Sequence, residues 1–425
     1  MFKVQKNKLK IGKGQLKFFK EICRRSKNLY NATLYETRQY FFQCGQFLTY
    51  NSAYHVMKGS KEYKNLPTMA AQQTMKIVER SFRSFFGLLK KKQGGNYNRP
   101  VNIPGYLPKD SYFVFIYLIL ENRCGKGWFT LRVPKELQSK FNFKEFHYPV
   151  PPTVTGKVKE VRILPKNNAK WFEIEFVYEV KEKNHDLNKK NVLSIDIGVD
   201  NFATCLSNIG KSFILDGKEM KAINQYYNKQ KSKIQSIYDK QSIKYGSKIF
   251  GFGDKRNRQI NEYLNQYVNL IVQICIINKI GNVIVGEGWK AQKCANNGKR
   301  NNQNFTMLSF GKFAWKLQAK CQLNGIEFKT QNEAYTSKCD HLVGEKMCYH
   351  EKYLGKRSPW GLFKSSVGKT LNADVNGALG IMIKSTGERD IVSQLNSGTV
   401  TVPKRIRLRE IQQTSSVRLA RNIFS

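Results

Sequence analysis

Three acids in the second half of the chain stand where an apolar run stops or a helix is due to start. They are Asp196 in VLSIDIGVDNF, Glu287 in NVIVGEGW and Asp374 in LNADVNGALGI. A lone acid at a strand end is usually a solvated turn residue. Here two of the strands run into a carboxylate with glycine close behind, Gly198 and Gly288, which leaves backbone room beside the charge at a sheet edge. Carboxylates brought together repel unless cations sit between them, and their hard oxygens suit Mg²⁺ or Mn²⁺. Two such ions, roughly 3.5–4 Å apart, would activate a water and stabilise the leaving oxygen in phosphodiester hydrolysis. Asp196, Glu287 and Asp374 are therefore the candidate catalytic and metal-binding residues. Asp200 competes with Asp196 for the first position. Asp196 is preferred because it belongs to the strand, whereas Asp200 follows Gly198 into the turn and is expected to have a structural task.

The elements around these acids read as an α/β domain. VLSIDIG, NFATCLS and KSFILDG are close enough in sequence to pair as an antiparallel meander. Helical patterns follow over 218–240 and 254–279, the second with Ile260, Leu264, Val268, Ile271, Val272 and Ile276 on one face. A buried strand over 282–290 ends in Glu287; then come a helix near 312–323, a strand over 326–331 and a last helix from about Ala373. This is the element order of a ribonuclease-H-like fold. Upstream, helical periods run over 16–42 and 68–92. Met75, Val78, Phe82, Phe85, Phe86 and Leu89 make a core stripe in the second, with Lys76, Arg80, Arg83 and Lys90 largely on other faces. A Gly-, Pro- and Asn-rich stretch over 94–110 opens a region of short strands, at 112–120, 127–133, 157–165 and 171–180, with a hairpin turn at 165–170. That spacing predicts a small barrel, and the polar residues 181–191 read as a linker.

Composition narrows the partners. Seventy-three Lys and Arg against thirty-one Asp and Glu give a net charge of +42 over 425 residues, a surplus that a polyanion must neutralise. Nucleic acid fits. A membrane does not, because no stretch approaches the ~18 apolar residues of a spanning helix, and the basic N-terminus has no apolar segment behind it. Nine cysteines, an odd number with no CxxC pair, imply no disulfide framework. A cytoplasmic protein is the expectation.

The motifs in this order resemble the split RuvC nuclease of the transposon-encoded TnpB family, whose close relatives are the compact type V CRISPR nucleases. The blocks are SIDIGVDNFAT, VIVGEGW, QNF with SFGKFAWKLQAKCQLNGIEF, YTSKC, and GKRSPWGLFKSSVGKTLNADVNGALGI. The first two are weak alone; with the last block they are highly specific. The resemblance implies that Asp196, Glu287 and Asp374 form one metal-dependent site cutting DNA, with Mg²⁺ or Mn²⁺ as a pair of ions. It also implies a guide RNA, double- and single-stranded target DNA, and a flanking DNA motif read by the protein. The expected fold is a RuvC-like α/β domain, residues 187–332 and 371–385, preceded by a β-barrel-like wedge domain, 1–13 and 106–186, with an inserted helical recognition domain, 14–105. Residues 333–370 would be a degenerate zinc-ribbon-like insert that loads the target strand, and 386–425 a basic tail.

The insert departs from many relatives, which carry paired CxxC units there. Cys339, His341, Cys348 and His350 form a CxH…CxH array whose one-residue spacing is short for the usual two to four residues between zinc ligands. Ordinary thiols and exposed histidines are expected, zinc is not, and the resemblance agrees, since a subset of the family replaces the ribbon with a metal-free loop. Residues 288–307 read as a mobile loop placed to cover the site, with Lys290, Lys293, Lys299 and Arg300 facing an entering strand. VPKRIRLREIQQ reads as solvated charge or a guide-RNA contact after the fold has ended. Rival readings are a strand-transfer transposase on the same fold, a guided DNA-binding repressor without cleavage, and a general basic binder. The last explains the charge but not the acids, and a repressor is expected to have lost at least one of them.

Overall fold

The first strand of the chain pairs with the last strand of its N-terminal half, which closes residues 1–181 into one unit; residues 182–425 form a second. The structure, a computed structural model, describes residues 1–119, 124–125, 127–243, 246–288, 303, 307–388, 391–395 and 397–424. In the first unit β1 (Phe2–Lys8) is followed by α1 (Lys13–Cys44), α2 (Tyr50–Met57), α3 (Lys61–Lys64) and α4 (Thr68–Gln93). Then come β2 (Phe115–Leu118), β3 (Cys124–Gly125), β4 (Trp128–Arg132), α5 (Lys135–Phe141), β5 (Glu145–Pro149), β6 (Val158–Lys166) and β7 (Trp171–Glu179). The strands make two sheets, β1-β7-β6-β2 and β3-β4-β5. Alternation along β7 buries Phe172, Ile174, Phe176 and Tyr178, as the sequence pattern requires, and Phe18 and Phe19 of α1 pack into the same aromatic core. The β6–β7 hairpin turns through Asn167, Asn168 and Ala169, all at positive φ. On α4 the stripe Val78, Phe82, Phe85 packs on Tyr30 and Leu34 of α1, leaving Arg80, Arg83 and Lys90 exposed.

The second unit is built on a six-stranded sheet. Its elements are β8 (Asn188–Asp196), β9 (Asn201–Ser207), β10 (Lys211–Asp216), α6 (Lys218–Lys240), α7 (Ser247–Ile277), β11 (Ile280–Gly286), α8 (Phe310–Leu323) and β12 (Glu327–Gln331). They continue with β13 (Lys356–Ser358), β14 (Leu362–Lys364), β15 (Thr370–Asn372), α9 (Ala373–Thr386), α10 (Ile391–Gln394), α11 (Ser397–Thr401), β16 (Lys404–Ile406), α12 (Leu408–Gln413) and α13 (Ser416–Phe424). The order is β12-β11-β8-β9-β10-β16, with β8, β9 and β10 an antiparallel meander and β11 and β12 parallel beside β8. This mixed sheet is consistent with the expected ribonuclease-H-like fold. Strand periodicity divides its side chains between two cores. Leu193, Ile195, Val283 and Val285 join α7 and α8, whereas Val192, Leu206 and Ile284 join Ala378, Leu379 and Met382 of α9. Of the residues read as linker, 188–191 belong to β8.

The basic stretch read as a tail beyond the fold is part of it. β16 adds to the sheet edge parallel to β10, and Ile406, Leu408, Ile411, Leu419, Ala420 and Ile423 enter the α7 core. Its apolar residues come singly between arginines, too thinly spaced to mark a strand before a neighbouring edge is known. Ile406→Ala in the full chain should lower the unfolding free energy of this unit by about 2–4 kcal/mol, read from denaturant midpoints; a loss below about 0.5 kcal/mol would mean that the stretch merely rests on the surface.

Candidate active site

Asp196 is the last residue of β8 and has the same parity as Val192 and Ser194, so its side chain leaves the sheet on the α9 side. There it meets Gly377, where an added Cβ would lie 2.7 Å from Asp196 Oδ2; glycine makes the approach. Burial pushes the Asp196 carboxyl well above the ordinary carboxylate range, and the charges of Glu333 and Asp374 push it further, against the opposing pull of Arg357 and the Ile197 N–H.

Asp374 reaches the same place from the junction of β15 and α9. Asn372 caps α9 by accepting the backbone N–H groups of Asp374, at 3.1 Å, and Val375, at 3.2 Å. This fixes Asp374 in the first helical turn, one turn before Gly377, where the helix dipole favours a negative charge. Its Oδ2 accepts from Asn201 Nδ2 at 2.5 Å and its Oδ1 from an Arg357 guanidinium nitrogen at 3.1 Å. Glu287 comes third, just past β11, its backbone N–H donating to Gln331 O at 2.9 Å.

A fourth acid was missed by sequence reasoning. Glu333 follows β12 by two residues, and its carboxylate fills the space beside Gly286 and Gly288 that any Cβ there would occupy. Burial raises its affinity for a proton, the Gly288 N–H opposes this and the charge of Glu287 adds to it. Among the described residues its buried Oε1 has no hydrogen-bond partner. The available signal was positional: an acid just past the strand that neighbours the Glu287 strand. It was masked by polar Gln331 and Asn332, which carry no apolar run to its position.

The donor set suits a hard divalent cation, because it is all carboxylate oxygen and one buried oxygen has no partner among the described residues. Among the described residues no three acids, histidines or cysteines come close enough together to hold a metal ion. Asp200 lies apart, its carboxylate paired with Lys221 of α6 at 2.7 Å. Lys290, Lys293, Lys299 and Arg300 lie outside the described residues.

In the insert the four candidate zinc donors do not share a centre. Cys348 Sγ is 3.4 Å from His350 Nε2, and both His350 Nε2 and Cys339 Sγ face Lys346 O, at 2.7 and 3.5 Å. His341, expected at the surface, is instead buried against Gly380 with Nε2 2.7 Å from Thr336 O. Carboxylates organise the loop. Buried Asp340 accepts from Ser365 Oγ at 2.7 Å and Ser366 N at 2.8 Å, while Glu345 takes the N–H groups of Asp340, at 2.6 Å, and Leu354, at 2.9 Å.

Comparison with known proteins bears out the resemblance to the TnpB family. Residues 175–292 match the family model described as a probable transposase (OrfB_IS605), and residues 310–381 match the Cas12f1-like TNB domain. A TnpB-like protein of Acidianus two-tailed virus is 23% identical over 406 residues, covering 85% of this chain and 82% of its own. One of Methanocaldococcus jannaschii is 19% identical over 165 residues, 38% of this chain and 59% of its own. A Cas12f1 structure, in complex with its single guide RNA and target DNA, shares the fold with a TM-score of 0.59 at 14% identity, over 87% of this chain and 83% of that one.

Because Asp196 binds its proton more tightly folded than unfolded, the folded chain carries the extra proton between the ordinary value of 3.8 and the raised one, so stability falls as pH rises through that window. Without divalent cations, Asp196→Asn should flatten this fall and raise Tm at neutral pH. Superimposable Tm–pH curves for the two proteins would show that Asp196 carries no such cost.

Proposed function

We propose that this TnpB-like chain is an RNA-guided DNA endonuclease with one divalent-metal site of the RuvC kind, held by Asp196, Glu287 and Asp374, with Glu333 beside them. The observation that carries the reading is the approach of Asp374, from the start of α9, and Glu333, from beyond β12, to Asp196 at the end of β8. Acids from segments far apart in sequence serve no packing purpose there, since each adds to the cost of the others.

When bound, Mg²⁺ or Mn²⁺ would supply charge neutralisation and activation of a water for attack on a phosphodiester. The chain's own residues set the geometry. Gly377 lets Asp196 lie against α9, the Asn372 cap fixes Asp374, and the Gly286–Gly288 segment holds Glu287 against Glu333. Arg357 stands at Asp374 from the insert, where a phosphate oxygen entering the site would meet a guanidinium.

In this reading 1–13 with 106–186 is the wedge, 14–105 the recognition helices, 187–332 with 371–385 the nuclease and 333–370 a metal-free loading insert. The +42 charge holds the guide RNA and its heteroduplex. A single site implies that the two DNA strands are cut in succession, and the setting is the cytoplasm and nucleoid of a bacterium or archaeon. Among the described residues no helix is long and apolar enough to cross a membrane.

The test is to express the chain with its native flanking DNA, sequence the RNA that co-purifies, and challenge the complex with matching plasmid and Mg²⁺. A discrete RNA and guided cutting are expected. Asp196→Ala, Glu287→Ala and Asp374→Ala should each abolish cutting while leaving guided binding nearly intact, and retained cutting removes that residue from the site. Guided binding without cutting by the wild type would favour a repressor, and joined strands in place of cut ends a transposase. Affinity should drop steeply between low and physiological salt; a flat response contradicts the charge argument.

A further inference from the structure

The stretch beyond residue 403 reaches the acids through two side chains. Arg405 lies on β16 level with Ile214 of β10, at the end of the sheet where Asn201 and Asp216 face each other across β9 and β10. One guanidinium nitrogen is 3.3 Å from Asp216 Oδ2, and another donates to Asn201 Oδ1 at 2.6 Å. Asn201 Nδ2 donates in turn to Asp374 Oδ2 at 2.5 Å. Asp216 is itself buried and anchored, its other oxygen accepting the Lys218 N–H that opens α6 at 2.8 Å.

The chemistry of this chain has a direction. A side-chain amide offers a donor at one end and an acceptor at the other, and turned over it would set its oxygen against the carboxylate of Asp374. A guanidinium only donates. Arg405 therefore accepts contact only with the oxygen end of Asn201, which leaves the amide nitrogen for Asp374. Asp216 holds the guanidinium in place with a charge-assisted bond.

Resting on the reading of Asp374 as a metal-binding acid, we infer that Asn201 and Arg405 are positioning residues for that acid. Arg405 fixes the sense of the Asn201 amide, and Asn201 holds Asp374 Oδ2, which sets the plane of the carboxylate; Oδ1, to which Arg357 donates at 3.1 Å, is the oxygen that would exchange that contact for the cation. The active centre is thus completed by a residue beyond 381, where the similarity to the Cas12f1-like domain ends. Groups that orient metal-binding side chains typically contribute about 10- to 100-fold in metal affinity or activity.

The test compares the full-length wild type with Asn201→Ala, Arg405→Met, the double variant, Arg405→Lys, Asp374→Ala and Arg409→Met, the last removing an equal charge elsewhere in the same exposed stretch. Mn²⁺ binding is followed by electron paramagnetic resonance, Mg²⁺ dependence by guided cleavage, and folding by Tm. Arg405→Met and Asn201→Ala should each weaken Mn²⁺ binding by about 10-fold and shift the Mg²⁺ requirement upward at temperatures well below the Tm of each variant, where it is folded. The double variant should be no worse than Asn201→Ala, because the two act on one path. Arg405→Lys should recover part of the loss, and Arg409→Met should match the wild type in Mn²⁺ binding, the readout that needs no guide RNA. Wild-type Mn²⁺ binding in Arg405→Met, losses that multiply in the double variant, or an equal loss in Arg409→Met would overturn the inference. Wild-type Mn²⁺ binding that ignores Asp374→Ala would instead sink the nuclease reading, and the positioning role with it.

Discussion

Negative charge crowded into a buried corner is the constraint on which the second unit depends. Asp196 is driven toward its neutral form by burial and by two neighbouring carboxylates. A protein built for stability alone would place an amide or an aliphatic residue there. The surrounding structure is arranged so that the crowding persists: glycines at 286, 288 and 377 remove the side chains that would keep the acids apart, and a capped helix start holds Asp374 forward. The energetic cost is spread over the two hydrophobic cores that sandwich the sheet.

The insert between β12 and α9 solves a separate problem. A loop of this length has too little apolar surface to fix its own shape, and a four-ligand metal would be one remedy. Here Asp340 and Glu345 act as acceptors around which backbone N–H groups and serine hydroxyls converge, and Asn376 of α9 ties the loop to the helix through Cys339 O at 3.1 Å. The carboxylates give the loop an interior, and β13, on its far side, carries Arg357 to the site.

Much of this was legible in the sequence because the decisive patterns are local. The meander, the boundaries of α6, the start of α9 and the three acids at element ends follow from hydrophobic period and glycine placement within short windows. What was missed is non-local. Glu333 matters because β12 lies beside β11, a pairing that no window containing Glu333 reveals. Asn201 looks like an ordinary residue at the start of a strand until Arg405, distant in sequence, is brought within hydrogen-bonding reach of it by β16. The C-terminal stretch disguised itself as a tail because arginines alternate with its few buried residues, and burial of His341 depends on Gly380 of a helix that comes later in the chain.

The return of β16 to the sheet edge also sets an order of events during synthesis. β8 through β12 leave the ribosome well before the segment that covers α7 and supplies Arg405, so a growing or prematurely ended chain exposes the apolar face later occupied by Leu419, Ala420 and Ile423. The pairing of β10 with β16 spans nearly half the chain, a long loop to close and a slow contact to make. Fragments that already contain every acid therefore still lack a finished core, and the acidic corner matures only after the regions that precede it have had time to fold.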